Sequence, residues 1–455
     1  MKKADDMLKN SNQSLLSDNW RKLCKDIFND ALQAVDPYKA VHNILSISKN
    51  RLVANQHSFD LHKYTKIIVL GAGKAAYTMA SATQDILGNT IDDGLVITKT
   101  GHGQPLSRIK VVEGTHPLPS EANFSNAKEL IKIAENSDKN TLVIFLMSGG
   151  ASALLPAPVA GISLDDKLKV TKTLLDCGAT IHEINCIRKH LSALKGGRLL
   201  KLLQPATTIS LVLSDVVGDD LNAIGSGPLT NDPTTFSDAL NICKKYDLED
   251  LFPASVMNYL NEGASHKHEE TLSEKEEASL PVHHLMIGTN SIAVEAAAKK
   301  ARDLGFETTI LSTTLEGEAK ELAGFFAALL SHRANLNEKR PLLLIGGGET
   351  TVSIQGTGLG GRNQEFALSA IEKISKIPNA FVAGFATDGT DGPTDAAGAW
   401  CDYKTLKQLK VKNLNPQSYL KNNDAYHLFK EINDLIITGP TGTNVCDIYL
   451  AGLLP

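Results

Sequence analysis

The sequence predicts an α/β protein made of two α/β domains, with mostly parallel, Rossmann-like layered sheets and an interdomain cleft. Three observations carry this reading. Several short segments are apolar throughout, they alternate with helical stretches, and one charged, core-poor segment interrupts the series. Strands that are apolar on both faces belong to sheets covered on both sides, and helical crossovers between them make such sheets parallel. With 455 residues, the chain has room for two or three domains of about 150 residues each.

The first element is an amphipathic helix over Ser17–Val35. Trp20, Leu23, Ile27, Phe28, Ala31 and Leu32 share one face, and Pro37 stops it. Strands are predicted at Lys66–Leu70, Gly94–Thr98, Ile109–Glu113, Thr141–Met147 and Thr207–Leu213. A Thr-x-x-Glu capping box at Thr180 and Glu183 opens a helix expected to run to Arg198. Between Asn261 and Leu280 charges crowd out large apolar residues, so residues 263–281 are expected to form a linker. It would join an N-terminal domain over 14–262 to a C-terminal domain over 282–455. The second domain is expected to hold strands near Leu285–Gly288, Thr308–Leu311, Pro341–Ile345, Thr350–Ile354 and Ala380–Ala386.

Composition excludes several classes. A net charge of −5 argues against a nucleic-acid surface, and no apolar run approaches the roughly 18 residues that span a membrane. The opening Met1-Lys2-Lys3-Ala4-Asp5-Asp6 lacks the apolar core of a signal peptide. Six cysteines, with no CxxC pair, suit a reducing cytoplasm and offer neither a zinc site nor a disulfide framework. A cytoplasmic protein acting on small molecules is expected; its oligomeric state is left open.

Glycine turns carry the chemistry. Ile67-Ile68-Val69-Leu70-Gly71-Ala72-Gly73-Lys74-Ala75-Ala76 reads as strand, turn and helix. It fits a relaxed dinucleotide fingerprint, with Asp92 and Asp93 about 20 residues on, where a ribose-binding acid would stand. Lys74 departs from that fingerprint. An ammonium beside a helix N-terminus makes an anion site, although a solvated lysine would look the same. Ser148-Gly149-Gly150-Ala151-Ser152 repeats the pattern after Thr141–Met147, and Gly346-Gly347-Gly348 ends a later strand.

The loop Gly356-Thr357-Gly358-Leu359-Gly360-Gly361-Arg362-Asn363 nearly spells a phosphate-binding P-loop. Arg362 and Asn363 stand where Lys and Ser/Thr belong, and Asn cannot hold Mg²⁺ as a hydroxyl does. A glycine nest ending in Arg can still cradle a polyphosphate, whereas the bland alternative is a glycine hairpin. Gly71, Gly73, Gly149, Gly150, Gly347, Gly348, Gly358, Gly360 and Gly361 are therefore the candidate nucleotide- or phosphate-binding glycines.

Carboxylates follow two apolar strands. Asp388, Asp391 and Asp395 lie in Thr387–Asp395, and Asp215 and Asp219 in Ser214–Asp220. One or two of Asp215, Asp219, Asp388 and Asp391 suit a Mg²⁺ that also touches phosphate; capping turns are the alternative. His116, Ser148, Lys189 and Lys195 are candidates to bind a substrate anion. Cations near a helix C-terminus are also expected from the macrodipole alone. No GxSxG elbow supports acyl transfer.

Together these segments resemble the class II glycerate kinases, which join an N-terminal glycerate kinase domain to a C-terminal MOFRL domain. The resemblance rests on LGAGKAAYTMA, EGTHPLPSEAN, LMSGGASALLPAP, INCIRKHLSALKGGRL, LVLSDVVGDDLNAIGSGP, GGGETTVSIQGTGLGGRNQEFAL, ATDGTDGPTDAAGA and TGPTGTNVCDIYLAGL, in order from about residue 65 onward. It implies Mg²⁺-dependent transfer from ATP to D-glycerate, usually giving 2-phosphoglycerate, with Lys74 and Arg362 matching the family's basic catalytic pair. The family has also been labelled hydroxypyruvate reductase, so an NAD(P)H-dependent enzyme is one rival reading. A non-catalytic sensor of sugar acids or nucleotides is the other.

Overall fold

A computed structural model describes residues 19–336 and 340–454, which divide into two compact units: residues 37–287, and the described residues from 288 onward together with 19–36. In the first unit a three-stranded antiparallel hairpin sheet comes first: β1 (Leu45–Ser48), β2 (Arg51–Ala54) and β3 (His57–Asp60). The main sheet holds β4 (Lys66–Ala72), β5 (Asp93–Lys99), β6 (Lys110–Gly114), β7 (Thr141–Met147), β8 (Thr207–Leu213) and β9 (Val282–Gly288). Its order is β6-β5-β4-β7-β8-β9, and β6 through β8 are parallel.

The chain leaves β4 toward β5 and β6, then returns to the other side of β4 as β7. The topological switch point therefore lies between β4 and β7, and ligands of open α/β sheets bind at the carboxyl ends of such strands. The register Ala72↔Met147 sets the two following turns, at Gly73–Lys74 and Ser148–Gly149, side by side. Every residue of β7 is buried, as its unbroken apolar sequence requires.

In the second unit a six-stranded sheet runs β10-β11-β15-β12-β13-β14. It comprises β10 (Glu307–Leu315), β11 (Leu342–Gly348), β12 (Ala380–Ala386), β13 (Gly398–Asp402), β14 (Leu435–Ile436) and β15 (Asp447–Leu453). Among the described residues of this sheet only β10 and β11 pair in parallel; β15 is antiparallel to both β11 and β12. The expectation of a mostly parallel second sheet is thus corrected, because C-terminal β15 inserts between β11 and β12. Thr350–Ile354 is not a strand. The Thr350 hydroxyl bonds Tyr449 Oη at 2.9 Å, and Glu318 accepts from Ser353 N–H and Oγ.

Three boundary expectations also change. The first helix, described over Trp20–Ala34, packs with the second unit: Trp20 stacks on Phe381 at 5.1 Å, Phe28 stacks on Phe385 at 4.3 Å, and Arg21 pairs with Asp434. Ser17 and residues 14–18 lie outside the described residues. The expected linker over 263–281 is instead built into the first unit, with Thr271 and Leu272 buried and Leu272 N–H donating to Gly196 O at 2.9 Å. Leu272 anchors it, and two of its charges reach inward: Glu270 meets His190 and Phe236 N–H, and Glu277 accepts from Asn231 N–H. The helix opened by the Thr180–Glu183 capping box ends at His190, and a second one runs Arg198–Leu203. Gly196 and Gly197, both at positive φ, occupy the break.

Candidate functional site

In the first unit five strand ends converge. The turn after β4 locks into the turn after β7: Lys74 N–H donates to Gly149 O at 2.8 Å, and Ala75 N–H donates to Ser148 Oγ at 3.0 Å. Gly73 is required here. Its φ of 141° disfavours side chains, and a Cβ would stand 2.1 Å from Ser148 Oγ. Ser148 is 1 % exposed and its hydroxyl closes the turn, which corrects its assignment to substrate. Gly71 has the same structural character, since a Cβ there would meet Leu146 O at 2.7 Å.

Gly149 and Gly150 differ from these. Their amides have no hydrogen-bond partner among the described residues. Around them a Cβ on Gly150 would approach His116 at 3.0 Å and the Lys74 Cγ at 3.3 Å, and a Cβ on Gly149 would strike the Asp215 carboxylate. Lys74 is half-buried and has no ion-pair partner among the described residues. Burial, with the Lys74 and Lys99 charges, pushes the His116 imidazole down to about 4, so at neutral pH it is an uncharged hydrogen-bonding group. Unpaired amides beside an unpaired ammonium form an anion cradle.

The dinucleotide pattern fails on geometry. Asp92 and Asp93 lie at the amino end of β5, where Asp92 accepts from Ile67 N–H at 2.7 Å and Asp93 from Gly94 N–H. A ribose-binding acid belongs at the carboxyl end, and there the strand carries Lys99.

In the second unit Arg362 opens the helix Arg362–Ile374. Its guanidinium holds Asp447 through Nε and Nη2 at 2.5 and 3.1 Å, and Glu349 through Nη1 at 2.8 Å. Asp447 begins β15 opposite Gly348 and Ala386, so this trio sits at the carboxyl ends of β11 and β12. Burial works against the Arg362 charge, but Asp447 and Glu349 outweigh it and hold the group protonated. Burial also pushes the Asp447 carboxyl up; the two guanidinium N–H groups and the Tyr449 hydroxyl oppose this and keep the pair ionic. The fork expected to face phosphate therefore already faces a carboxylate.

The glycine loop before Arg362 is largely self-satisfied. Gln355 and Gly356 donate to Asn423 Oδ1, Thr357 to Asn422 Oδ1, Gly358 to Asn422 O, and Leu359 to Asp424 Oδ1. Gly358 is packed against Asp424, which corrects its placement in a phosphate nest. The amides of Gly360, Gly361 and Arg362 have no partner among the described residues and make a smaller cradle. Gly347 and Gly348 are buried, and a Cβ would collide with Asn290 and Leu315 respectively; they permit packing and offer nothing to a ligand.

The four candidate metal carboxylates separate by role. Asp391 is 1 % exposed and caps the Arg362–Ile374 helix, accepting from Asn363 N–H at 3.1 Å and Gln364 N–H at 2.8 Å. Both oxygens are engaged, and burial pushes the carboxyl up to about 6, so Asp391 does not fit a metal ligand. Asp391→Ala should instead cost about 1–2 kcal/mol of stability, read as a lower urea midpoint with metal dependence unchanged. Wild-type stability with a raised metal requirement would contradict the capping role.

Asp388 makes an Asx turn through one oxygen to Thr390 N–H at 2.9 Å, Asp215 lies against the Gly149 turn, and Asp219 is half-buried at positive φ. No group of three or more His, Cys, Asp or Glu that could hold a metal is found among the described residues. Sites relying on one carboxylate plus substrate phosphate remain compatible with Asp215 or Asp388. Lys189 is buried in a pair with Asp232 at 3.3 Å, which corrects its assignment to substrate. Lys195, 1 % exposed, donates to Ser152 O, Ser152 Oγ and Gly225 O, so all three of its protons are used within the protein.

The first unit is a doubly wound α/β fold with two unpaired amides and an unpaired ammonium at its switch point, where open α/β sheets bind their ligands. Residues 23–261 match the family described as a domain of unknown function, DUF4147, and residues 342–447 match the MOFRL family. A glycerate 2-kinase of Pyrococcus horikoshii is 45 % identical, covering 93 % of this chain and 94 % of that one. A protein of Agrobacterium vitis named putative hydroxypyruvate reductase is 39 % identical over 84 % of this chain and 98 % of its own. The crystal structure of a glycerate kinase from Thermotoga maritima matches with a TM-score of 0.85 at 38 % identity, covering 96 % of this chain and all of that one. The chain belongs to the glycerate kinase family. No helix among the described residues is long and apolar enough to cross a membrane.

Proposed function

We propose that the protein transfers the γ-phosphoryl group of ATP to D-glycerate, giving 2-phosphoglycerate and ADP, with Mg²⁺ required. The observation that carries this reading is the pair of unpaired amides at Gly149 and Gly150 beside the unpaired Lys74 ammonium. The acceptor hydroxyl oxygen attacks the γ-phosphorus as the bond to ADP breaks, and negative charge spreads over the equatorial oxygens. Lys74 and the two amides neutralise that charge, and the neutral His116 orients an oxygen; Arg362, held by Asp447 and Glu349, is the second cation that the family resemblance assigns to catalysis. Asp215 or Asp388 would hold Mg²⁺, which supplies further charge neutralisation on phosphate oxygens when bound. The hydride-transfer rival lacks its ribose acid, because Asp92 is committed to the amino end of the sheet.

Incubation with D-glycerate, ATP and a divalent metal should release one ADP per phosphoglycerate, followed by a coupled ADP assay and ³¹P spectroscopy. Removal of the metal by chelation should stop it. NADH oxidation by hydroxypyruvate, without ADP release, would overturn the proposal.

A further inference from the structure

A second cationic cluster lies just beyond the Gly149–Gly150 cradle, on the same turn. Ser152 Oγ accepts from Arg188 Nη2 and from Lys195 Nζ, each at 2.7 Å. With both acceptor sites filled, its own proton points to Ser226 Oγ at 3.0 Å, which in turn donates to Asn185 Oδ1 at 3.3 Å. The chain of hydroxyls is thus oriented and saturated.

The cations around it are not. Lys167 is 6 % exposed and its ammonium has no hydrogen-bond partner. Arg188 spends one of its five N–H donors on Ser152 and is partly exposed. No carboxylate lies within ion-pair distance of Lys167, Arg188 or Lys195 among the described residues, whereas neighbouring Lys189 is neutralised by Asp232. Burial and the Arg188 charge push the Lys167 ammonium down to about 7. Desolvated cations without counter-charges are unfavourable in the free protein, and a small anion bound there would relieve them.

We propose that Arg188 and Lys167 bind the carboxylate of the acceptor acid, with Lys195 and Ser152 as positioning residues that fix the guanidinium. This rests on the glycerate kinase reading. Gly150, beside Lys74, and Ser152, beside Arg188, stand two residues apart and so at most about 7 Å from each other. That order of distance suits a three-carbon hydroxy acid, with its hydroxyl toward the phosphate cradle and its carboxylate toward Arg188. Arg188 supplies the planar two-pronged contact, and Lys167, whose charged form a bound anion would stabilise, favours a carboxylate over an uncharged alcohol.

The test uses full-length protein carrying Arg188→Gln or Lys167→Met. Each should raise the KM for D-glycerate roughly 10–100-fold, the loss of one charged hydrogen bond, while the KM for ATP stays within about twofold. The preference for glycerate over glycerol should shrink in parallel. Lys167→Met should melt above wild type without ligand, since it removes a buried unpaired charge, and it covers the case in which Arg188→Gln folds poorly. An unchanged glycerate KM in folded variants, or a raised ATP KM instead, overturns the assignment. Should wild type release no ADP, the kinase reading fails separately. The thermal shift given by D-glycerate alone then decides the subsite: present in wild type and lost in the variants upholds it, absent in wild type refutes it.

Discussion

Lys74→Ala should lose roughly 10³-fold or more in kcat, the contribution of a positioned cation to phosphoryl transfer, with a melting temperature close to that of wild type. The asymmetry follows from its surroundings. The side chain is half-buried and forms no ion pair among the described residues, so truncation orphans no partner. The turn is held instead by its backbone, through Lys74 N–H to Gly149 O and Ala75 N–H to Ser148 Oγ. Single-turnover kinetics would place the loss in the chemical step. A variant that keeps more than about a tenth of kcat would make Lys74 an ornament of the turn.

Arg362→Ala should behave differently, losing stability as well as activity. Its removal leaves the fully buried Asp447 carboxylate unpaired, a defect that costs about 3–5 kcal/mol. Part of that cost is avoidable, because a buried carboxyl can take up a proton. Burial already pushes Asp447 up, and without the guanidinium its folded pKa rises further above the unfolded value. Stability from such a raised group is present at low pH and lost as pH rises through the folded pKa. The stability gap between Arg362→Ala and wild type should therefore widen from pH 5 to pH 8 in urea titrations. Adding Asp447→Asn should recover much of it without restoring activity. A single variant as stable as wild type at pH 8 would mean that Asp447 is not held as an ion.

The parallel sheet of the first unit was legible because its strands are buried on both faces. Thr141–Met147 and Thr207–Leu213 are apolar runs bounded by turn residues, and the structure returns the same limits. The hairpin sheet over 45–60 escaped notice since its strands are four residues long and largely exposed on β1. Lys74 and the Gly149–Gly150 turn were readable because local sequence fixes a strand-to-helix turn. The loop before Arg362 was misread because the groups that satisfy its amides, Asn422, Asn423 and Asp424, come from some 65 residues away. Ser148, beside a glycine turn, and Lys189, near a helix end, look available in the sequence until their distant partners, Ala75 N–H and Asp232, are known. Lys167 lies in no motif, and Arg188 is only one of several cations in INCIRKHLSALKGGRL; their interest lies in missing partners, which no linear pattern displays.

The helix Trp20–Ala34 is made first and completed last. Trp20 and Phe28 find Phe381 and Phe385 only after the ribosome has added some 350 further residues. At about 5–20 residues per second, that takes on the order of tens of seconds. Meanwhile residues 37–287 can close around their own core, leaving the helix's aromatic face exposed on the nascent chain. Over that interval the helix's aromatic face lacks its partners, and it gains them only when the last third of the protein arrives.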